Sequence, residues 1–110
     1  MAHPNKAKGD RAERDVEKIL TQYDPAASRT RSGRHEDEGD IHALNMVWQV
    51  KDVTSPPWRQ WFVQLDSQVA NSKYGQGVLV WKLRGYGGKP VKWLAVMELD
   101  KFADLLTRRD

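Results

Sequence analysis

Three short runs carry residue types that could do chemistry together. Asp40 sits in Gly39-Asp40-Ile41, and nine positions later comes Gln49-Val50-Lys51. Glu13 lies upstream, in a segment with helical periodicity. A carboxylate on one strand and a polar-x-Lys run on the next can hold a divalent cation beside a phosphate ester. Hard cations such as Mg²⁺ take oxygen ligands, usually one or two carboxylates completed by water and substrate phosphate. Asp40 supplies one carboxylate. Glu13 supplies another, directly or through water. The Gln49 side-chain oxygen and the Val50 carbonyl complete the protein's share. Lys51 can orient a water and offset charge building on the phosphate.

These groups can meet only if particular elements position them. Ala12, Val16, Ile19, Leu20 and Tyr23 recur at helical spacing, which predicts a helix from about Asp10 to Gln22, stopped by Asp24-Pro25. Asp10 and Glu13 have the spacing of a capping box. Glu13 falls about 80° from the centre of the apolar stripe, at the edge of the core. Ser28 to Ser32 reads as a short strand. Asp40–Leu44 and Val47–Val53 read as a hairpin turning at Asn45-Met46, which pairs Leu44 with Val47, His42 with Gln49 and Asp40 with Lys51. On that register Asp40, Gln49 and Lys51 share a polar face, while Ile41, Ala43, Trp48 and Val50 form the core face. A one-residue slip would scatter the set. Pro57 fits the first position of a second helix with the stripe Trp58, Trp61, Phe62, Leu65 and Val69. Gly77–Lys82 reads as a buried strand and Val91–Met97 as another. Asp100 is placed to cap a last helix carrying Phe102, Leu105 and Leu106.

With 110 residues the chain reads as a single domain, 1–110, with one core and a flexible basic tail over residues 1–8. Cysteine is absent, which excludes disulfides and thiolate zinc sites. No apolar run approaches the ~20 residues of a membrane span, and no secretory signal is visible, so a cytoplasmic protein without a membrane partner is expected. The net charge of +3 is mild, but its distribution is uneven. Lys6, Lys8, Arg11, Arg14 and Lys18 crowd the start. Arg29, Arg31 and Arg34 follow, and then the acidic run Glu36-Asp37-Glu38 after His35. The pattern suits a basic footprint for phosphates around a small negative pocket.

The order and spacing of Gly9-x-x-x-Glu13-Arg14, Arg31-Ser32-Gly33, Gly39-Asp40-Ile41 and Gln49-Val50-Lys51 resemble the PD-(D/E)XK nuclease superfamily. Within it the likeness is to archaeal-type and phage Holliday junction resolvases, and it covers most of the chain. The resemblance implies an α/β fold with a central mixed sheet flanked by helices, a restriction-endonuclease-like core. It implies a Mg²⁺- or Mn²⁺-dependent endonuclease acting on DNA, branched or junction DNA in particular, often as a homodimer in a prokaryotic or phage-infected cell. Its products would be 5′-phosphate and 3′-hydroxyl ends. Glu13, Asp40, Gln49 and Lys51 would be the catalytic set, with Glu13, Asp40, Gln49 and Val50 around the metal. Arg14, Arg29, Arg31, Ser32 and Arg34 would stand near the DNA backbone, and Gln68 on the second helix would line the groove. The chain departs from the usual motif at Gln49, where Glu or Asp is common. Gln keeps an oxygen and loses a charge, so an inactive DNA-binding module on the same fold is the alternative. A structural or protein-interaction domain is a third reading. Trp48, Trp81 and Trp93 fall on strands. Trp81 and Trp93 are the candidate dimer anchors.

Overall fold

The computed structural model describes residues 4–30, 37–85, 87, 88 and 90–108. Eight elements run in the order α1 (Pro4–Thr21), β1 (Ser28–Arg29), β2 (Ile41–Ala43), β3 (Met46–Lys51), α2 (Trp58–Asn71), β4 (Gly77–Arg84), β5 (Val91–Val96) and α3 (Leu99–Thr107). The strands form one mixed sheet in the order β1-β2-β3-β4-β5. β3 and β4 are parallel and every other neighbouring pair is antiparallel. The fold class is therefore α/β, with a mixed sheet flanked by helices, as expected.

The parallel pair needs a crossover, and α2 supplies it. Its stripe buries Trp61 and Leu65 against Val47 and Leu79. α1 lies on the other face, where Ala12, Val16 and Leu20 pack on Ile41, Ala43, Trp48, Val50, Val78 and Val80. Both faces of the sheet are thus covered, and the apolar side chains form two clusters rather than the single core expected. All five tryptophans are buried or half-buried, as their spacing suggested. The Trp81 indole N–H donates to the Val53 carbonyl at 2.8 Å, and Trp58 meets both Trp61 and Trp81 edge to face. Trp81 and Trp93, the candidate dimer anchors, are half-buried by contacts within the chain.

Several boundaries differ from expectation. α1 starts at Pro4, so residues 4–8 are helical and Asp10 sits inside the helix rather than capping it. α1 ends at Thr21, and the Asp24 carboxylate beyond it accepts the N–H groups of Leu44 and Ala26, which hold its pKa below the ordinary value. Pro57 is the N-cap of α2 and not its first residue. Glu98, not Asp100, is the N-cap of α3. α3 buries none of its residues, and its apolar stripe faces outward, with Leu99 76% and Leu106 69% exposed.

Candidate active site

The β2–β3 hairpin turns one residue earlier than expected. Leu44 and Asn45 both have positive φ (53° and 59°), the combination of a tight two-residue turn. Ala43 then pairs with Met46, His42 with Val47 and Ile41 with Trp48. The expected pairs of His42 with Gln49 and Asp40 with Lys51 do not form. Moving the turn by one residue slips the register by two, and a slip of two leaves every side chain on its own face. Gln49 and Lys51 therefore keep the face expected of them.

Asp40 precedes β2 and is fixed on both sides of Gln49. Its N–H donates to the Trp48 carbonyl at 3.0 Å, and its Oδ2 accepts the Val50 N–H at 2.8 Å. Gly39 makes this approach possible. Its φ is +89°, and a Cβ there would overlap the Val47 side chain. Thr30 closes the other side, its hydroxyl donating to the Gly39 carbonyl at 2.5 Å and its N–H to the Asp40 carbonyl at 2.9 Å. Burial pushes the Asp40 carboxyl up to about 7, and the Glu13 carboxylate adds to the rise. The Val50 N–H and the Lys51 ammonium oppose it without cancelling it.

Glu13 reaches the site from α1. Burial raises its pKa, against the pull of Arg29, whose guanidinium donates to Glu13 at 3.3 Å and to Asp10 at 3.4 Å. Arg29, expected near the DNA backbone, is engaged here with two carboxylates of α1. Gln49 is half-buried, and its Oε1 is enclosed without a hydrogen-bond partner. An enclosed amide oxygen lacking a donor is costly to leave unmade, and a cation would satisfy it.

Lys51 is caged by α2. Its Nζ donates to Gln64 Oε1 at 3.2 Å and lies 5.3 Å from the centre of the Trp61 ring. Burial lowers its pKa, while Asp40 and Asp37 pull it back up. The face bearing Lys51 is consequently not the open polar face expected, because Val47 on the same face is fully buried under α2.

Sequence reasoning missed the residues that lock the loop before Asp40. Asp37 accepts the Gly39 N–H and the Gln68 side-chain N–H, both at 2.9 Å, and its carbonyl accepts Asn71 Nδ2 at 2.8 Å. Gln68 is only 2% exposed. It holds the loop to α2 and offers no surface to a DNA groove, contrary to expectation. The spacing of Trp61, Gln64 and Gln68 on one side of α2 was the available signal. His42 takes the bland role, with Nε2 2.8 Å from the Glu38 carbonyl and its ring against Tyr74. Arg14 is exposed on α1. Arg31, Ser32 and Arg34 lie outside the described residues, as do His35 and Glu36.

Among the described residues no three His, Asp or Glu side chains converge at ligand spacing. The site offers instead two carboxylates and one orphaned amide oxygen, a donor set suited to a hard cation that keeps its own waters. No family model matches the chain, and neither a curated protein nor a solved structure matches it. The assignment of chemistry therefore rests on the geometry. No helix among the described residues is long and apolar enough to cross a membrane.

Proposed function

We propose that this chain is a divalent-metal-dependent DNA endonuclease of the PD-(D/E)XK kind, selective for branched DNA. One observation carries the reading. A buried carboxyl with a raised pKa, Asp40, is pinned beside an amide oxygen that has no partner, Gln49, and next to a lysine caged by α2. Perturbed groups cluster at functional sites, and this gathering supports the reading. Glu13, Asp40 and Gln49 would hold Mg²⁺ or Mn²⁺. When bound, such an ion supplies Lewis-acid activation of water and charge for the phosphate.

The chain's own residues do the rest. Asp40 is oriented by the Val50 N–H, which leaves its second oxygen for a ligand. Lys51 is held by Gln64 and Trp61, and its ammonium would offset negative charge building on a phosphoryl oxygen. Arg14, exposed on α1, would offer a cation to the DNA backbone. The protein would act in the cytoplasm. The working unit would be a homodimer, because symmetric cuts across a four-way junction need two sites and one chain supplies one.

The test is cleavage by purified protein with Mg²⁺ or Mn²⁺ on linear duplex, nicked, flap and four-way junction DNA. Metal-dependent nicking that favours the junction is expected. DNA binding without nicking under either metal would favour the second reading, an inactive DNA-binding module, for which the replacement of an acid by Gln49 is the specific observation. Sedimentation of the protein near the 12.7 kDa of one chain, with and without junction DNA, would remove the dimer.

A further inference from the structure

Asp52 follows Lys51 at the carboxyl end of β3. The two side chains alternate, so Lys51 lies under α2 and Asp52 points to the α1 face. The Asp52 side chain is only 4% exposed, and three cations from two elements surround it. Arg84 from β4 forks onto both carboxylate oxygens. Lys8 from α1 and Lys82 from β4 each approach to 3.9 Å. Lys82 also stands over the Trp93 ring, 5.4 Å from its centre.

A forked arginine already neutralises the one carboxylate. The two lysines are therefore in charge excess, and at 3.9 Å they sit at the outer limit of an ion pair. A purely structural rivet between α1 and the sheet needs one cation, not three. The side chains of Lys8 and Arg84 are 39% and 47% exposed, and that of Lys82 is 18% exposed. Among the described residues, the ion pairs these three make all end on Asp52.

The position gives this charge a use. β3 and β4 are parallel, and Lys51 is level with Trp81, so Asp52 and Lys82 stand side by side one residue further on. Carboxyl ends of parallel strands are where open α/β sheets take ligands. Lys51 and the Lys8–Lys82–Arg84 group lie on opposite faces at the carboxyl end of β3, one residue apart in register, so a polyanion wrapping that end would meet both. We propose that Lys8 and Lys82 form a second phosphate-binding patch, which grips the backbone of the nucleic acid next to the phosphate held at Lys51. The inference rests on the nuclease reading and names a part of the DNA contact that the basic arginines of the sequence motif do not include.

The test is anisotropy titration of duplex and four-way junction DNA with chelator present, so that no cleavage occurs, across about 50 to 200 mM salt. For Lys8→Ala/Lys82→Ala, the slope of log affinity against log salt should fall by nearly two, at roughly 0.9 per lost phosphate contact on duplex. The weakening should be alike for all sequences. A slope equal to that of the parent protein would overturn the patch and leave the nuclease reading standing. Absence of DNA binding by the parent protein would overturn both. Amine-reactive labelling of the unmodified protein covers the case of a double variant that does not fold. DNA should protect Lys8 and Lys82, and unprotected lysines would overturn the proposal. Equal protection by millimolar inorganic phosphate alone would also overturn it, assigning the patch to small anions.

Discussion

Asp40 and Asp52 lie near the same end of β3, both drawn out of water, and their acidities move in opposite directions. Asp40 is buried beside the Glu13 carboxylate, with one backbone N–H and the Lys51 ammonium in opposition, and its pKa rises to about 7. Asp52 has a forked arginine and two lysines, and its pKa falls despite its burial. Burial acts on both in the same sense, so the difference comes from the partners. An enclosed carboxylate already matched by protein cations is complete. One left beside another acid and an orphaned oxygen is short of positive charge, and that shortage is what marks the site at Asp40.

The comparison breaks most visibly in the pH dependence of stability without metal. The native state binds the Asp40 proton more tightly than the unfolded chain, so stability should decline as pH rises from 3.8 to about 7, then level off. In full that shift corresponds to about 4 kcal/mol. Asp40→Asn should remove the decline in thermal melts. Asp52 has the opposite sign, because its contribution is present above its unfolded pKa and lost as pH falls through the lower native value. Asp52→Asn should therefore destabilise at neutral pH, with the deficit shrinking in acid. Parallel pH profiles for the two variants would contradict the contrast.

Catalysis should discriminate next. Asp40→Ala or Lys51→Ala should reduce cleavage on the order of 100-fold, about 2.7 kcal/mol of barrier. Circular dichroism should show the fold retained in both. Near-normal single-turnover rates from either variant would remove the nuclease assignment.

A smaller effect comes from behind the site. A Cβ on Gly77 would meet Leu65 and Val69 side chains at 2.7 to 2.9 Å, so Gly77→Ala should push α2 from the sheet. The cost should be about 1–3 kcal/mol by denaturant melts. Because α2 also carries Trp61 and Gln64, the same change should loosen Lys51 and lower cleavage, whereas DNA affinity should hold. The finest adjustment is at Gln49. Gln49→Glu keeps the oxygen and adds charge, so the Mg²⁺ requirement should fall with activity retained. Gln49→Leu should abolish cleavage. Activity appearing only in Gln49→Glu would favour the inactive-module reading.

Much of this was readable from the sequence because periodicity reports which face of an element is apolar. The α1 stripe, the strand carrying Gln49 and Lys51, and the β4 run all express that rule. The turn was not readable, since Leu44 is an unusual residue for a positive φ and Asn45-Met46 looked the better corner. Nor does a stripe disclose which sheet face a helix will cover, so the cage over Lys51 was invisible. Polar side chains default to solvent, which concealed the burial of Gln68 and its bond to Asp37. For α3 the stripe was legible, yet its direction was not, because Leu99 and Leu106 point away from the sheet.

The parallel pairing of β3 with β4 also orders events in time. The β2–β3 hairpin is local, and hairpins of this kind close in about 1–10 μs. Asp40 and Gln49 become neighbours in that step. Lys51 gains Gln64 and Trp61 only after α2 has crossed over and β4 has docked, a non-local closure of the slower sort. A newly made chain would thus bring Asp40 and Gln49 together first and position the Lys51 ammonium last.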